Sequence, residues 1–385
     1  MELDVIRRLL AAARAARDEQ VALLREMVEC ESPSESAVCI ARFNDLFAAR
    51  LAGLAQVKTV AAGRYGRHLL AELLLPGPRR KQGRILALGH SDTVWPEGTL
   101  KTMPWRVERG RLWGPGVLDM KGGLAQLVFA ARILRELDIP VAKKVVLQIN
   151  CDEEIGSPAS RELTERMART SDAALVLEPG TGLAGKLKTA RKGIGRYGLR
   201  VEGVASHSGV DFAAGASAVL ELARQVERIA GFTDLQRGVT VNVGVVSGGT
   251  RSNIVAPEAH AEIDIRVPRL KDFASLERKF RNLKPIDKRC RLFLEGGLNR
   301  PPMERTAGVA KLAQRAIRIG RAMDVTIEES STGGGSDGNL TAALGVPTLD
   351  GLGSVGEGAH APHESILVER IADRTALLAG LLASL

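Results

Sequence analysis

Asp152-Glu153-Glu154 follows the apolar run Val145-Val146-Leu147-Gln148-Ile149, and the end of a buried strand is where an α/β sheet presents polar side chains to a ligand. Adjacent carboxylates on extended backbone point to opposite faces. A turn just past the strand can aim both into one crevice, one to hold a metal ion and the other to move protons. Similar arrangements recur along the chain. Arg84-Ile85-Leu86-Ala87-Leu88-Gly89 delivers His90, with Asp92 two residues on, and an acceptor on the second ring nitrogen is what orients a metal-binding histidine. Ala174-Leu175-Val176-Leu177 delivers Glu178 ahead of Pro179-Gly180, and Val346-Pro347-Thr348-Leu349 leads to a glycine-rich loop with His360 and His363. Gly114-Pro115-Gly116-Val117-Leu118-Asp119-Met120-Lys121-Gly122-Gly123 places Asp119 just before an apolar helical pattern. Its glycines lack the G-x-x-x-x-G-K-[ST] spacing of a phosphate loop.

His90, Asp119, Glu154, Glu178 and His360 together supply two imidazoles and three carboxylates, a nitrogen and oxygen set that suits zinc and is no thiolate site. If Asp119 bridges, each of two ions receives one histidine, one glutamate and the shared aspartate, and Glu153 is left over. A carboxylate left over beside a metal suits a general base that takes a proton from the attacking water and passes it to a leaving amine. The reaction class that follows is hydrolysis of an amide or peptide bond.

These residues need a scaffold, and 385 residues with 45% apolar content suit two domains with a sizeable core. No run reaches the roughly 18 uncharged apolar residues of a membrane helix. The opening Met1-Glu2-Leu3-Asp4-Val5-Ile6-Arg7-Arg8 is charged too early for a signal peptide, so a cytoplasmic chain with no membrane partner is expected. Cys30, Cys39, Cys151 and Cys290 are scattered and read as reduced, buried thiols. The net charge of +9 is spread along the chain and aromatics are only 3%, which argues against nucleic-acid binding.

Helical spacing marks residues 1 to 29 and about 36 to 52, and a strand is expected near His68 to Leu75. Between about Leu187 and Gly297 the order becomes strand 196–204, helix 213–230, strands 239–246 and 259–267, helix 270–283 and strand 291–294, a βαββαβ ferredoxin-like unit. The expected fold is α/β: a catalytic domain over 1–186 and 298–385, with a central mixed sheet flanked by helices, interrupted by a second domain over 187–297.

In its ordered motifs the chain resembles the dinuclear zinc exopeptidase and aminoacylase family, and within it the folate-splitting glutamate carboxypeptidases. The motifs are Gly89-His90-Ser91-Asp92-Thr93-Val94, the Gly114 to Gly123 loop, Asp152-Glu153-Glu154-Ile155-Gly156-Ser157, Leu177-Glu178-Pro179, Ala205-Ser206-His207-Ser208-Gly209 and Gly333-Gly334-Gly335-Ser336-Asp337. The resemblance implies two zinc ions per subunit, with cobalt or manganese as substitutes. It implies ligands His90, Asp119, Glu154, Glu178 and His360, with Glu153 as base, Asp92 orienting His90 and a cis peptide after Asp119. His360 is selected over His363 because the family pattern places a glutamate four residues later, here Glu364. The inserted domain becomes a lid and homodimerisation surface, His207 stabilises the oxyanion in the partner's site, and Asn253, Arg266, Gly334, Gly335 and Arg300 contact substrate. An arginine can grip a free carboxylate through two parallel hydrogen bonds. Arg191-Lys192-Gly193 departs from the serine- and threonine-containing segment of the folate-cleaving members.

The implied activity is a carboxypeptidase releasing a C-terminal amino acid, glutamate among the candidates, from N-acyl or peptide substrates, through a water between the ions activated by Glu153. The alternatives are an aminoacylase, deacetylase or dipeptidase using the same centre, or a non-catalytic dimeric binding module that keeps the fold.

Overall fold

The apolar runs that end in Asn150 and His90 lie side by side as parallel strands, Lys144–Asn150 and Arg84–His90, in a register that pairs Asn150 with His90. Both are buried almost throughout, which is why they read as continuous apolar runs rather than alternations. They form the middle of a six-stranded mixed sheet in the order Ala55–Ala61, Arg67–Leu73, Lys144–Asn150, Arg84–His90, Ala173–Val176, Thr348–Leu349. The pairings on the Ala55 side are antiparallel and the rest parallel. The parallel strands carry His90, the Asp152-Glu153-Glu154 turn and Glu178 to the same edge. The Ala55–Ala61 strand has no counterpart in the sequence reading: it is an edge strand with mostly exposed or half-buried side chains, so it carries no apolar run.

The computed structural model describes residues Glu2 to Leu385 and divides into two compact units. Met1–Ala190, Arg305–Thr332 and Ser336–Leu385 make the first; Arg191–Glu304 with Gly333–Gly335 make the second. Compared with the expected insert over 187–297, the division falls at Arg191 and Glu304 and adds the triglycine. Leu187–Arg191 pairs with Glu329–Thr332 in a separate two-stranded sheet.

In the first unit, helices Leu3–Ala15, Arg17–Glu29, Gly122–Glu136, Ala307–Ala322 and Ile371–Ser384 share one core with the sheet. Gly122–Glu136 and Ile371–Ser384 are buried nearly all round, as expected of helices apolar on every face. Arg374, fully buried within the last helix, donates to the carbonyls of Gly353 (2.9 Å), Gly185 (3.0 Å) and Gly351, satisfying buried carbonyls of two separate loops.

A small antiparallel sheet, ordered Gly356–Glu357, Ser365–Leu367, Arg111–Trp113, Arg106–Glu108, decides how distant segments meet. Trp113 pairs with Ser365 and Gly356 with Ile366. The loop from Gly114 to Asp119 therefore leaves one strand beside the hairpin whose tip carries His360.

The second unit follows the expected βαββαβ order: Gly193–Glu202, Ala218–Ala230, Thr240–Gly248, Glu258–Val267, Leu270–Arg281, Arg291–Arg300. Its four-stranded antiparallel sheet is ordered Thr240, Glu258, Gly193, Arg291 by first residue. Alternate inward residues such as Tyr197, Leu199, Val201, Ala261, Ile263 and Ile265 pack with Leu222, Ile229, Phe273, Leu276 and Phe280 of the two helices. Residues 279–291, rich in lysine and arginine, run from the end of one helix through a loop to the last strand; Arg281 at the helix end pairs with Glu277, and Arg289 in the loop pairs with Asp287.

Candidate metal centre

Asp119 sits in a short irregular turn, Val117–Lys121, with a cis peptide bond to Met120. The turn is held from below by Glu364, fully buried. Its carboxylate accepts hydrogen bonds from the backbone N–H of Gly116 (2.9 Å), Leu118 (2.8 Å) and Asp119 (3.0 Å), and from Trp95 Nε1 at 2.8 Å. Four donors on one carboxylate form a charge-assisted clamp on the loop. This role has no mark in the sequence, where Glu364 is only a spacing reference for His360.

The two oxygens of Asp119 face two imidazoles. Oδ1 lies 3.2 Å from His90 Nε2, and Oδ2 lies 3.4 Å from His360 Nε2. Glu178 Oε1 stands 3.6 Å from His90 Nε2, and Glu154 Oε2 stands 3.2 Å from His360 Nε2. Two ligand groups result, His90, Asp119 and Glu178, and Asp119, Glu154 and His360, each with its donor atoms within 4.8 Å of one another. His363 is exposed and joins neither group.

Asp92, buried at 1% exposure, ties this arrangement together. Its backbone carbonyl is 2.8 Å from His90 Nδ1, closer than its carboxylate at 3.5 Å. An Nδ1–H donated to that carbonyl leaves Nε2, the nitrogen facing Asp119, with its lone pair outward. The Asp92 carboxylate accepts from Ser34 Oγ (2.8 Å) and from the backbone N–H of Glu153 and Glu154, both at 3.1 Å. The residue read from sequence as the partner of His90 thus also anchors the turn that carries Glu153 and Glu154.

Asp152 does not enter either group. Its Oδ2 accepts from Ala159 N (2.6 Å) and Ser160 N (3.1 Å), shaping the turn from below. It lies in a third His/Cys/Asp group with His68 and Cys151, all buried, where Cys151 N donates to His68 Nδ1 at 3.3 Å. Behind the turn, Asp337 accepts from Asn150 Nδ2 and Ser157 Oγ, both at 2.5 Å. That places the Ser336-Asp337 end of the glycine motif as a structural brace.

The electrostatics favour a divalent cation. Burial raises the Asp119 carboxyl, but hydrogen bonds from His360 and His90 outweigh it and hold the group below its usual range. Asp119 and Glu154 push the His360 imidazole up to about 10. Burial opposes the charge on His90, yet Asp119, Asp92 and Glu178 together raise it well above normal. Burial also lifts Glu154 to about 7, with Asp119 adding to the rise and His360 opposing it. Protons on the imidazoles thus supply the positive charge the carboxylates require, and metal binding displaces such protons. Glu154 Oε1 is buried without a hydrogen-bond partner, an acceptor that a cation would satisfy. The donor set fits divalent ions of the zinc class.

The other residues read from sequence lie in the second unit. The segments carrying His207 and Asn253 are bridged: Ser208 N donates to Asn253 O at 3.0 Å and Val255 N to Ser206 O at 2.9 Å. His207 is exposed, its Nδ1 accepting from Gly209 N at 3.1 Å. Arg266 is paired in parallel with Asp264 (2.8 and 2.9 Å) and its Nη1 lies 3.5 Å from Gly333 O. Arg300 is buried at 4% exposure, with its Cδ against Gly335.

Residues 86–384 match the model of peptidase family M20/M25/M40. Carboxypeptidase G2 of Pseudomonas sp. (strain RS-16) is 29% identical over 356 residues, covering 90% of this chain and 85% of that protein. Among solved structures, the aminopeptidase PepT of Bacillus cereus superposes with a TM-score of 0.81 at 23% identity, over 95% of this chain and 98% of that one. The YXEP protein of Bacillus subtilis, described as a dinuclear metal-binding peptidase of family M20, gives 0.71 at 14% identity, over 96% and 98%. With a family match that spans most of its length and two donor groups sharing one aspartate, the chain belongs to peptidase family M20/M25/M40 and is a hydrolase of the metallopeptidase class.

Proposed function

We propose that this protein is a carboxypeptidase that hydrolyses the amide bond of a C-terminal amino acid, glutamate among the residues released, in N-acyl or peptide substrates. The observation that carries the reading is Asp119, whose two oxygens separately face His90 and His360, with Glu153 next in chain to Glu154 of one ligand group. The likeness to carboxypeptidase G2 along 90% of the chain supports the direction of cleavage. His90, Asp119 and Glu178 would hold one zinc ion, and Asp119, Glu154 and His360 the other. When bound, such a pair polarises the scissile carbonyl and makes water acidic enough to attack at neutral pH.

Glu153 accepts the proton from the attacking water and delivers it to the leaving amine. Asp92 keeps Glu153 in place through its backbone N–H, so the base is set by the same residue that sets His90. Arg266, Arg300 and Asn253, with the backbone of Gly334 and Gly335, are assigned to the substrate's free carboxylate. His207 is assigned to the oxyanion in the other subunit's site, which requires a homodimer.

A panel of folyl-glutamate, N-acetyl amino acids and dipeptides tests the specificity. Release of free glutamate from the acyl-glutamate is expected. Turnover confined to N-acetyl amino acids or dipeptides would move the assignment to an aminoacylase or dipeptidase, and no turnover of any would favour a binding module.

The dimer is supported by the Thr240–Gly248 strand, which stands at the edge of its sheet. Val245 (54% exposed), Val246 (57%) and, on the adjacent helix, Leu220 (52%) leave apolar surface there, a pattern that invites strand or helix pairing with a second copy. Sedimentation of the wild type should give a dimer at micromolar concentration, and Leu220→Glu with Val246→Glu should give a monomer. A monomeric wild type at that concentration removes the assignment of His207.

A further inference from the structure

The three glycines at 333 to 335 are unequal. A Cβ built on Gly335 would lie 2.6 Å from Ile194 Cδ1 and 3.1 Å from Arg300 Cδ, whereas Gly333 and Gly334 have nothing within 4 Å of that position. The loop therefore has one packed end and one open stretch. Open space beside backbone that carries no side chain is where a ligand can approach peptide groups closely.

Arg191 closes the other side. Its guanidinium Nη1 donates to the carbonyls of both Gly334 (3.2 Å) and Gly335 (3.1 Å). Its own backbone is clamped by paired hydrogen bonds with Met303, each 3.0 Å long, and the residue is 4% exposed. Turning the Gly334 carbonyl toward Arg191 turns the N–H on the same planar peptide, that of Gly335, away from it. The next amide, Ser336 N–H, is already donated to Asn339 Oδ1 at 2.9 Å. Arg191 thus orients the Gly335 amide, in a loop that otherwise has the freedom of three successive glycines.

We propose that Arg191 is a positioning residue for substrate binding: it locks the triglycine loop so that its backbone N–H groups are preset for the substrate's free carboxylate. The residue acts through the loop and need not touch substrate. A preset loop avoids an ordering cost at each binding event, so the gain falls on substrate affinity and not on the bond-breaking step. The proposal rests on the reading that the second unit binds the carboxylate of an acyl-amino acid. It also assigns a use to the segment that departs from the folate-cleaving members.

Arg191→Ala and Arg191→Lys, each with wild-type metal content and melting temperature verified, provide the test. Exchange of the Ser336 amide, which is donated to Asn339 Oδ1 at the end of the loop, should quicken at least about tenfold in the Arg191→Ala protein, since a lost charge-assisted hydrogen bond corresponds to roughly 10- to 100-fold in an equilibrium. With the acyl-amino acid substrate, KM should rise by a similar factor while kcat changes less than about threefold. Arg191→Lys, which keeps a donor, should recover part of both. Unchanged exchange overturns the loop assignment, and faster exchange with unchanged KM, or a loss confined to kcat, overturns the role in binding. If wild-type protein turns over no acyl-amino acid, the functional reading fails. In that case the exchange result still decides the loop assignment, and calorimetric titration with free glutamate, weaker for Arg191→Ala, decides the carboxylate assignment.

Discussion

Glu153→Gln should lower kcat by about 10²- to 10⁴-fold, the range that a positioned acid–base group contributes, while both metal ions remain bound. The substitution keeps the size of the side chain and its place in the turn, because the anchoring contact runs through the backbone N–H of Glu153 to Asp92. Glu153 belongs to neither ligand group. What is lost is the ability to accept a proton. Steady-state kinetics paired with metal analysis by mass spectrometry separates the outcomes: turnover near the wild-type value would falsify the assignment of Glu153 as base. A parallel loss of metal would make it a ligand instead.

Asp119→Ala should cost the protein both ions, and with them all measurable turnover. The reasoning is geometric, since Asp119 is the member common to the two donor groups. Removing His90 or His360 would cripple one group and leave the other with its full set of donors. Even residues that only support a metal ligand typically change affinity or activity 10- to 100-fold, so losing a shared ligand should exceed that. Metal per chain after dialysis, compared among Asp119→Ala, His90→Ala and His360→Ala, is the measurement. An Asp119→Ala protein that retains one tightly held ion would show that the groups are independent. Dialysis of the wild type against a chelator should abolish activity, and zinc should restore it.

The substitution also removes charge from a crowded place. Without a cation, Asp119 and Glu154 depend on protonated imidazoles for balance: His360 rises to about 10 for that reason, while burial is the larger cause of the rise of Glu154 to about 7. Asp119→Ala therefore also removes the anion that raises both imidazoles, so without metal His90 and His360 should give up their protons more readily than in the wild type. The Glu364 clamp on residues 116, 118 and 119 survives, because it acts on backbone N–H groups.

How much of this was legible in the residue order depends on the range of the interaction involved. His90, Glu154 and Glu178 could be picked out because each follows an apolar run, and a buried strand in a parallel sheet both demands such a run and ends at the ligand edge. The βαββαβ order of the second unit was equally visible, since alternation and helical spacing are local signals. The Ala55–Ala61 strand was not, because its mostly exposed and half-buried side chains leave no apolar pattern.

Residue types and local periodicity thus pointed to the kind of chemistry, to His90, Glu154 and Glu178 as candidate donors and to the class of fold, whereas the choice of His360 over His363 came from the family pattern. The tertiary structure decided which donors meet. Only the pairing of Trp113 with Ser365 explains why Asp119 and His360, far apart in sequence, face each other. Only the folded chain shows that Glu364 holds the Asp119 loop, that Asp92 governs both His90 and the Glu153 turn, and that Arg191 reaches the triglycine. The physical reason is that these are small sets of hydrogen bonds, most of them between segments distant in the chain. Such bonds leave no periodicity behind, whereas burial of a whole strand or helix face leaves its pattern in every second or fourth residue.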